Sequence, residues 1–170
     1  MKSVKKWLPV LLALVLILAL SIPAMAAKGE YVTTRQFLKV MDREDEDYEL
    51  VGVDDDDDEH VVAYFAGDSL GDAVVHIFFN PDLDEVDMRC WDIITFDDKD
   101  YNDVLEEVNE LNNDYKFVKF TLDPSDNTVS AEMDAFLRQG EESGEIAYDV
   151  LIAIEYLSNA AYEELAEYDK

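Results

Sequence analysis

Cysteine and histidine are scarce in this 170-residue chain, with one Cys and two His. A Cys/His zinc cluster and an internal disulfide framework are therefore out of reach. Basic residues are short as well: 13 Lys plus Arg stand against 41 Asp plus Glu, for a formal net charge of -28. Nucleic acid and anionic membrane surfaces both bind through a positive face that displaces counterions, so this composition argues against either as a ligand. No glycine-rich phosphate loop is present. What the chain has instead is 49% hydrophobic and 11% aromatic residues, too much apolar surface for a solvated acidic tail, and one compact acidic domain is expected.

The first 26 residues read as an address. Lys2, Lys5 and Lys6 make a basic start, Trp7 to Ile22 an apolar run interrupted by Pro9 and Ser21, and Ala24-Met25-Ala26 a small-residue cleavage pattern. That is the pattern of a secretory signal peptide, and the apolar run is short for a membrane-spanning helix. Residues 1–26 are expected to be removed and residues 27–170 to form a single exported domain with no stable membrane insertion. Cleavage there takes three lysines and no acid, moving the net charge from -28 to -31.

Periodicity gives the order of elements. Thr33 or Thr34 is expected to cap a helix with Phe37, Leu38 and Met41 on its dry side. Tyr48, Leu50, Val51 and Val53, then the six acids Asp54 to Glu59, then Val61, Val62, Tyr64 and Phe65 predict a hairpin with a solvated tip. After Gly67-Asp68-Ser69-Leu70-Gly71 come a strand from Ala73 to Phe79 and another from about Val86 to Phe96. Asp97 or Asp98 should cap a second helix, on which Tyr101, Val104, Leu105, Val108 and Leu111 recur at helical spacing. A second hairpin pairs Phe117 to Leu122 with Val129 to Phe136, and a last helix starts near Glu142. Its main stripe is Ile146, Val150, Ala153, Ile154, Leu157, Ala161 and Leu165. The order α-β-β-β-β-α-β-β-α is an α+β fold built on an antiparallel sheet. Tyr148, Ile152 and Tyr156 fall four apart outside that stripe, which makes them the candidate surface for a partner or a second copy.

Three chemistries can be weighed on the residues. Gly67-Asp68-Ser69-Leu70-Gly71 has the letters of a hydrolase nucleophile elbow, but that motif belongs at a strand-to-helix turn beside a His, and here it joins two strands. A glycine-flanked turn accounts for it. Cys90 and His76 lie on successive strands, so a plausible register sets them side by side as a nucleophile and base; the alternation of Cys90 with Val86, Met88 and Ile94 points instead to a core thiol. Acid clusters suggest extracellular calcium. Asp98, Asp100 and Asn102 alternate like the opening of a calcium loop, yet Asp103 stands in the glycine place and Asn109 in that of the bidentate Glu; Asp54 to Glu59 lacks a turn signal to fold around one ion.

The second helix and hairpin resemble the YbjN family. The letters are Val108-Asn109-Glu110-Leu111-Asn112-Asn113, Lys116-Phe117-Val118-Lys119-Phe120, Leu122-Asp123, a turn through Asp126, Val129, and an apolar helix through Val150, Ile154, Tyr162 and Leu165. The resemblance spans about Tyr31 to Tyr168. It implies a small α+β domain similar in fold to type III secretion chaperones, often dimeric, with a sensory or regulatory role and no defined catalytic residue or cofactor. The extreme acidity adds an expectation of long-range selection for a basic protein or peptide partner. The functional expectation is thus an exported, non-enzymatic binding module acting through its sheet or its C-terminal helix, with an acidic calcium- or cation-responsive protein as the alternative and a hydrolase using Ser69 or Cys90 as the third reading.

Overall fold

The computed structural model describes residues 29–66, 69–82, 84–138, 140 and 142–170. The candidate signal peptide lies outside them, as do Gly67 and Asp68 of the glycine-flanked turn. The elements are α1 (Val32–Glu44), β1 (Asp47–Val53), β2 (Glu59–Ala66), β3 (Asp72–Asn80), β4 (Glu85–Thr95), a 3-10 turn (Asp98–Asp100), α2 (Tyr101–Asp114), β5 (Lys119–Asp123), β6 (Thr128–Phe136) and α3 (Ser143–Leu165). They form the expected α+β order. The six strands make one antiparallel sheet in the order β1-β2-β3-β4-β6-β5. Among the described residues no helix is long and apolar enough to cross a membrane.

Period-two patterning decides which sheet face is dry. Val75, Ile77 and Phe79 of β3, Val86, Met88 and Cys90 of β4, and Val129 and Ala131 of β6 are fully buried. They pack with Phe37 and Met41 of α1, Val104, Val108 and Leu111 of α2, and Ala147, Leu151 and Ile154 of α3 in one continuous core. All three helices sit on this side: α3 crosses β3, β4 and β6, α1 packs on α3, and α2 covers β5. Gly144 allows the closest of these approaches. A Cβ there would stand 2.5 Å from the carbonyl carbon of Gln36, so the backbones of α1 and α3 touch where any side chain would force them apart.

Several local expectations need correction. Neither Thr33 nor Thr34 caps α1. Its N-cap is Tyr31, which makes no side-chain cap bond, while the Glu59 carboxylate accepts the backbone N–H groups of Glu30 at 2.6 Å and Tyr31 at 2.9 Å. Glu59 is consequently 1% exposed and belongs to β2 rather than to a solvated tip. The loop does have a turn signal: Asp54 Oδ1 accepts from the amides of Asp56 and Asp58, and Asp57 adopts a left-handed φ of 64°, a conformation that Asp tolerates. Ahead of α2, the 3-10 turn intervenes, so the cap falls on Asp100 and not on Asp97 or Asp98, again without a side-chain cap bond. On α3 the expected Val150, Ile154, Ala161 and Leu165 are buried, but the rest of the dry stripe is shifted round the helix. Ala147, Leu151 and Ser158 are buried, whereas Ile146 is 36% exposed, because α1 as well as the sheet packs against this helix.

Candidate functional site

The opposite face of the sheet carries no helix among the described residues. The alternate residues of β2 and β3 point there: His60, Val62 and Tyr64, then Val74, His76 and Phe78. Trp91 joins them from β4, where a bulge between Cys90 and Ile94 and a left-handed Asp92, φ 55°, break the ladder to β6. The rings meet. His60 stacks on Phe78 with centroids 4.4 Å apart, and Trp91 lies 4.2 Å from His76 and 6.2 Å from Phe78. Tyr64 is 44% and Trp91 48% exposed, so this is an apolar surface in contact with water rather than a core.

Within it the chain's two histidines come together. His60 Nε2 and His76 Nδ1 are 3.0 Å apart, one nitrogen donating and the other accepting. That bond requires at least one neutral ring. Burial pushes both imidazoles below the ordinary histidine value; the charge of His60 lowers His76 further, and Asp54 partly opposes the effect at His60.

The other half of the face, on β4 and β6, is charged. Asp87 and Asp134 oppose each other directly. Arg89 Nη1 donates to Asp134 Oδ1 at 2.6 Å and to the Met88 carbonyl at 2.9 Å, and Arg89 Nη2 is 3.6 Å from Asp87. Burial first, then Asp134, lifts the Asp87 carboxyl to about 6 despite the opposing pull of Arg89. Ligand oxygens of Glu85, Asp87 and Asp134 converge within 4.8 Å of one another, and among the described residues they are the convergent carboxylate group. A guanidinium already sits on two of the three.

The sequence-derived candidates fall elsewhere. Tyr148, Ile152 and Tyr156 do share one side of α3, but Tyr148 is turned inward and donates to Glu46 Oε1 at 2.8 Å; burial and that bond raise its phenol to about 12. Ile152 is 37% and Tyr156 68% exposed. Ser69 donates to Glu163 Oε1 at 2.7 Å and sits between two antiparallel strands, so its immediate hydroxyl partner is a carboxylate. Cys90 and His76 are not side by side. His76 opposes Arg89, and Cys90, 1% exposed, faces the helices, where burial pushes its thiol up. The acids of the Asp54 loop and of Asp98 and Asp100 do not converge as a ligand group; Lys99 pairs instead with Asp97 and Asp100. The His60–His76 meeting follows from the β2–β3 register, which the turn residues alone did not set. From the closing pair Ala66–Asp72, counting back places His60 two residues from Val62, the direct partner of His76.

The asparagine-rich end of α2 also has a structural account. Asn112 Nδ2 donates to the Phe120 carbonyl at 2.9 Å and its Oδ1 accepts the Phe120 amide at 2.8 Å. The side-chain amide thus pairs with edge strand β5 as another strand would, leaving fewer free backbone groups at that edge.

Comparison with known proteins agrees with this architecture. The YbjN family model, described as "Putative bacterial sensory transduction regulator", matches residues 36–160. Among solved structures the chain is similar to "YbjN, a putative transcription regulator from E. coli", at 12% identity over 81% of this chain and 92% of that one, with a TM-score of 0.56. At that identity the likeness concerns the fold. No curated protein matches. With the family model covering most of its length and the fold in agreement, the chain belongs to the YbjN family.

Proposed function

We propose that this chain is an exported, non-enzymatic regulatory module that captures a protein or peptide partner on the open face of its sheet. The observation that carries the reading is the half-buried His76 and Phe78 packed against an exposed Trp91, with Tyr64 exposed beside them, on a face that the helices leave bare among the described residues. Large aromatic side chains held rigid by neighbouring strands lose little entropy on binding, and such residues anchor interfaces. The acidic surroundings, within a chain of net charge -28, favour a basic partner and a salt-sensitive encounter. The family description as a regulator agrees with binding rather than turnover. The basic start, apolar run and small-residue pattern of residues 1–26 support export.

Ile152 and Tyr156 on α3 are the second surface, favoured by their exposure beside a Tyr148 that is held in place by Glu46. Capture from culture medium and envelope extract separates the two. With Trp91→Ser or Phe78→Ser the bound protein should be lost, and with Tyr156→Ser it should be retained. The reverse pattern moves the site to α3, and an unsubstituted chain that captures nothing at low or high salt ends the partner reading.

A further inference from the structure

The geometry points to a transition-metal site: we propose that His60 and His76 together bind a single Cu2+ or Zn2+ ion on the open sheet face. The two histidines of a 170-residue chain are 16 residues apart, on different strands, yet their nitrogens stand 3.0 Å from each other. Two imidazole nitrogens bound at about 2.0–2.1 Å to one ion are separated by about 3 Å, so the donors are already at the spacing that chelation needs. Chelation requires the donating ring to shift its proton to its other nitrogen and the rings to turn, so that both facing nitrogens present a lone pair to a shared ion. Because the pair is held by a hydrogen bond between neutral rings, no charged partner has to be displaced.

The surroundings favour a cation and select its type. Phe78 packs on His60 and Trp91 on His76, which restricts both rings and lowers the entropy lost on chelation. The one guanidinium across the strand, that of Arg89 opposite His76, is engaged by Asp134. The net charge of -28 raises the local concentration of divalent cations. Imidazole donors suit copper and zinc rather than calcium or magnesium, and copper binds more tightly than zinc to a given nitrogen set. The Glu85–Asp87–Asp134 group offers oxygen donors and already holds Arg89, so it does not compete as the copper or zinc site. Two protein ligands leave coordination positions open to water. The inference does not require a protein partner.

Trp91 makes the test direct. In the full chain carrying Trp7→Phe, Trp91 is the remaining indole, and its 4.2 Å ring contact with His76 places it within quenching range of bound Cu2+. Titration with CuCl2 in a non-coordinating buffer should quench its emission saturably at one ion per chain; Zn2+ in large excess should reverse the quenching, and Ca2+ at the same excess should not. His60→Ala and His76→Ala should each weaken Cu2+ binding by about tenfold or more, with the far-ultraviolet circular dichroism unchanged. Quenching that does not saturate, or that survives both substitutions, overturns the proposal. Should a variant fail to fold, the electron paramagnetic resonance spectrum of the unsubstituted Cu2+-loaded chain decides: coupling to two nitrogens supports the site, and an all-oxygen signal removes it.

Discussion

Asn112 exchanges two hydrogen bonds with the backbone of Phe120, donating at 2.9 Å and accepting at 2.8 Å. One side chain thereby fixes the end of α2 to the edge of the sheet. Asn112→Ala should destabilise the fold by about 1–3 kcal/mol in urea unfolding, the cost of leaving partly buried backbone groups unpaired. Asn112→Asp should be no better, because a carboxylate accepts the amide but cannot donate to the Phe120 carbonyl. Substitution of the neighbouring exposed Asn113 should be near neutral.

Glu59 is the buried member of a largely exposed acidic run. Its two oxygens satisfy the amides of Glu30 and Tyr31 at the start of α1, where no side chain of the helix itself provides a cap. Glu59→Ala should cost about 1–3 kcal/mol and lower the melting temperature. Asp55→Ala, on the exposed turn, should leave stability unchanged or raise it slightly by relieving like-charge repulsion.

The contrast between Glu59 and its neighbours marks how far the sequence could be read. Element order and the inward alternation of β3, β4 and β6 follow from the period-two pattern, and the Asn-rich end of α2 identified the family. What pattern alone could not supply was pairing across elements. Glu59 looks like the sixth letter of a charge run until the amides of Glu30 and Tyr31, 29 and 28 residues away, come within reach of it. The rotation of the α3 stripe toward Ala147 and Leu151 depends on α1 arriving on a second side. His60 and His76 become a pair only once the β2–β3 register is known, whereas strand spacing alone points to Cys90, a residue on the other face, as the neighbour of His76.

Leu151 and Ile152 are adjacent on α3 and should respond oppositely to the same substitution. Leu151 is fully buried and Ile152 is 37% exposed. Leu151→Asp places an unpaired charge in the core and should abolish folding, seen as loss of cooperative unfolding and of near-ultraviolet dichroism. Ile152→Asp should cost no more than about 1 kcal/mol. If this helix face mediates assembly, the Ile152 variant will elute later in size-exclusion chromatography with its secondary structure intact.

Asp87 reports on the charged half of the open face. Its carboxyl titrates near 6 in the folded chain against an ordinary 3.8, so the folded state holds a proton that the unfolded state has lost. Stability linked to this group is complete below the unfolded value and is lost as pH rises through about 6. Asp87→Asn mimics the protonated form. It should stabilise the protein by about 1 kcal/mol at neutral pH, allowing for solvent screening of a side chain 38% exposed. The gain should fade below about pH 6 as the native Asp87 takes up its proton.

The histidine pair should impose the opposite slope. Both rings titrate below their ordinary value because of burial, and His76 also because of His60. Between those folded values and the unfolded value of about 6.5, the unfolded chain binds protons that the native chain refuses. Their contribution is therefore present above the unfolded value and lost as pH falls through the folded ones. A second cost arrives once both rings are protonated: two N–H groups then face each other at 3.0 Å. Urea unfolding in EDTA, on an Asp87→Asn background that removes the opposing titration, should show stability falling from about pH 7 to about pH 5. Introducing His60→Gln with His76→Gln should flatten that dependence. An equal slope in the double variant would assign the acid sensitivity to groups away from the open face.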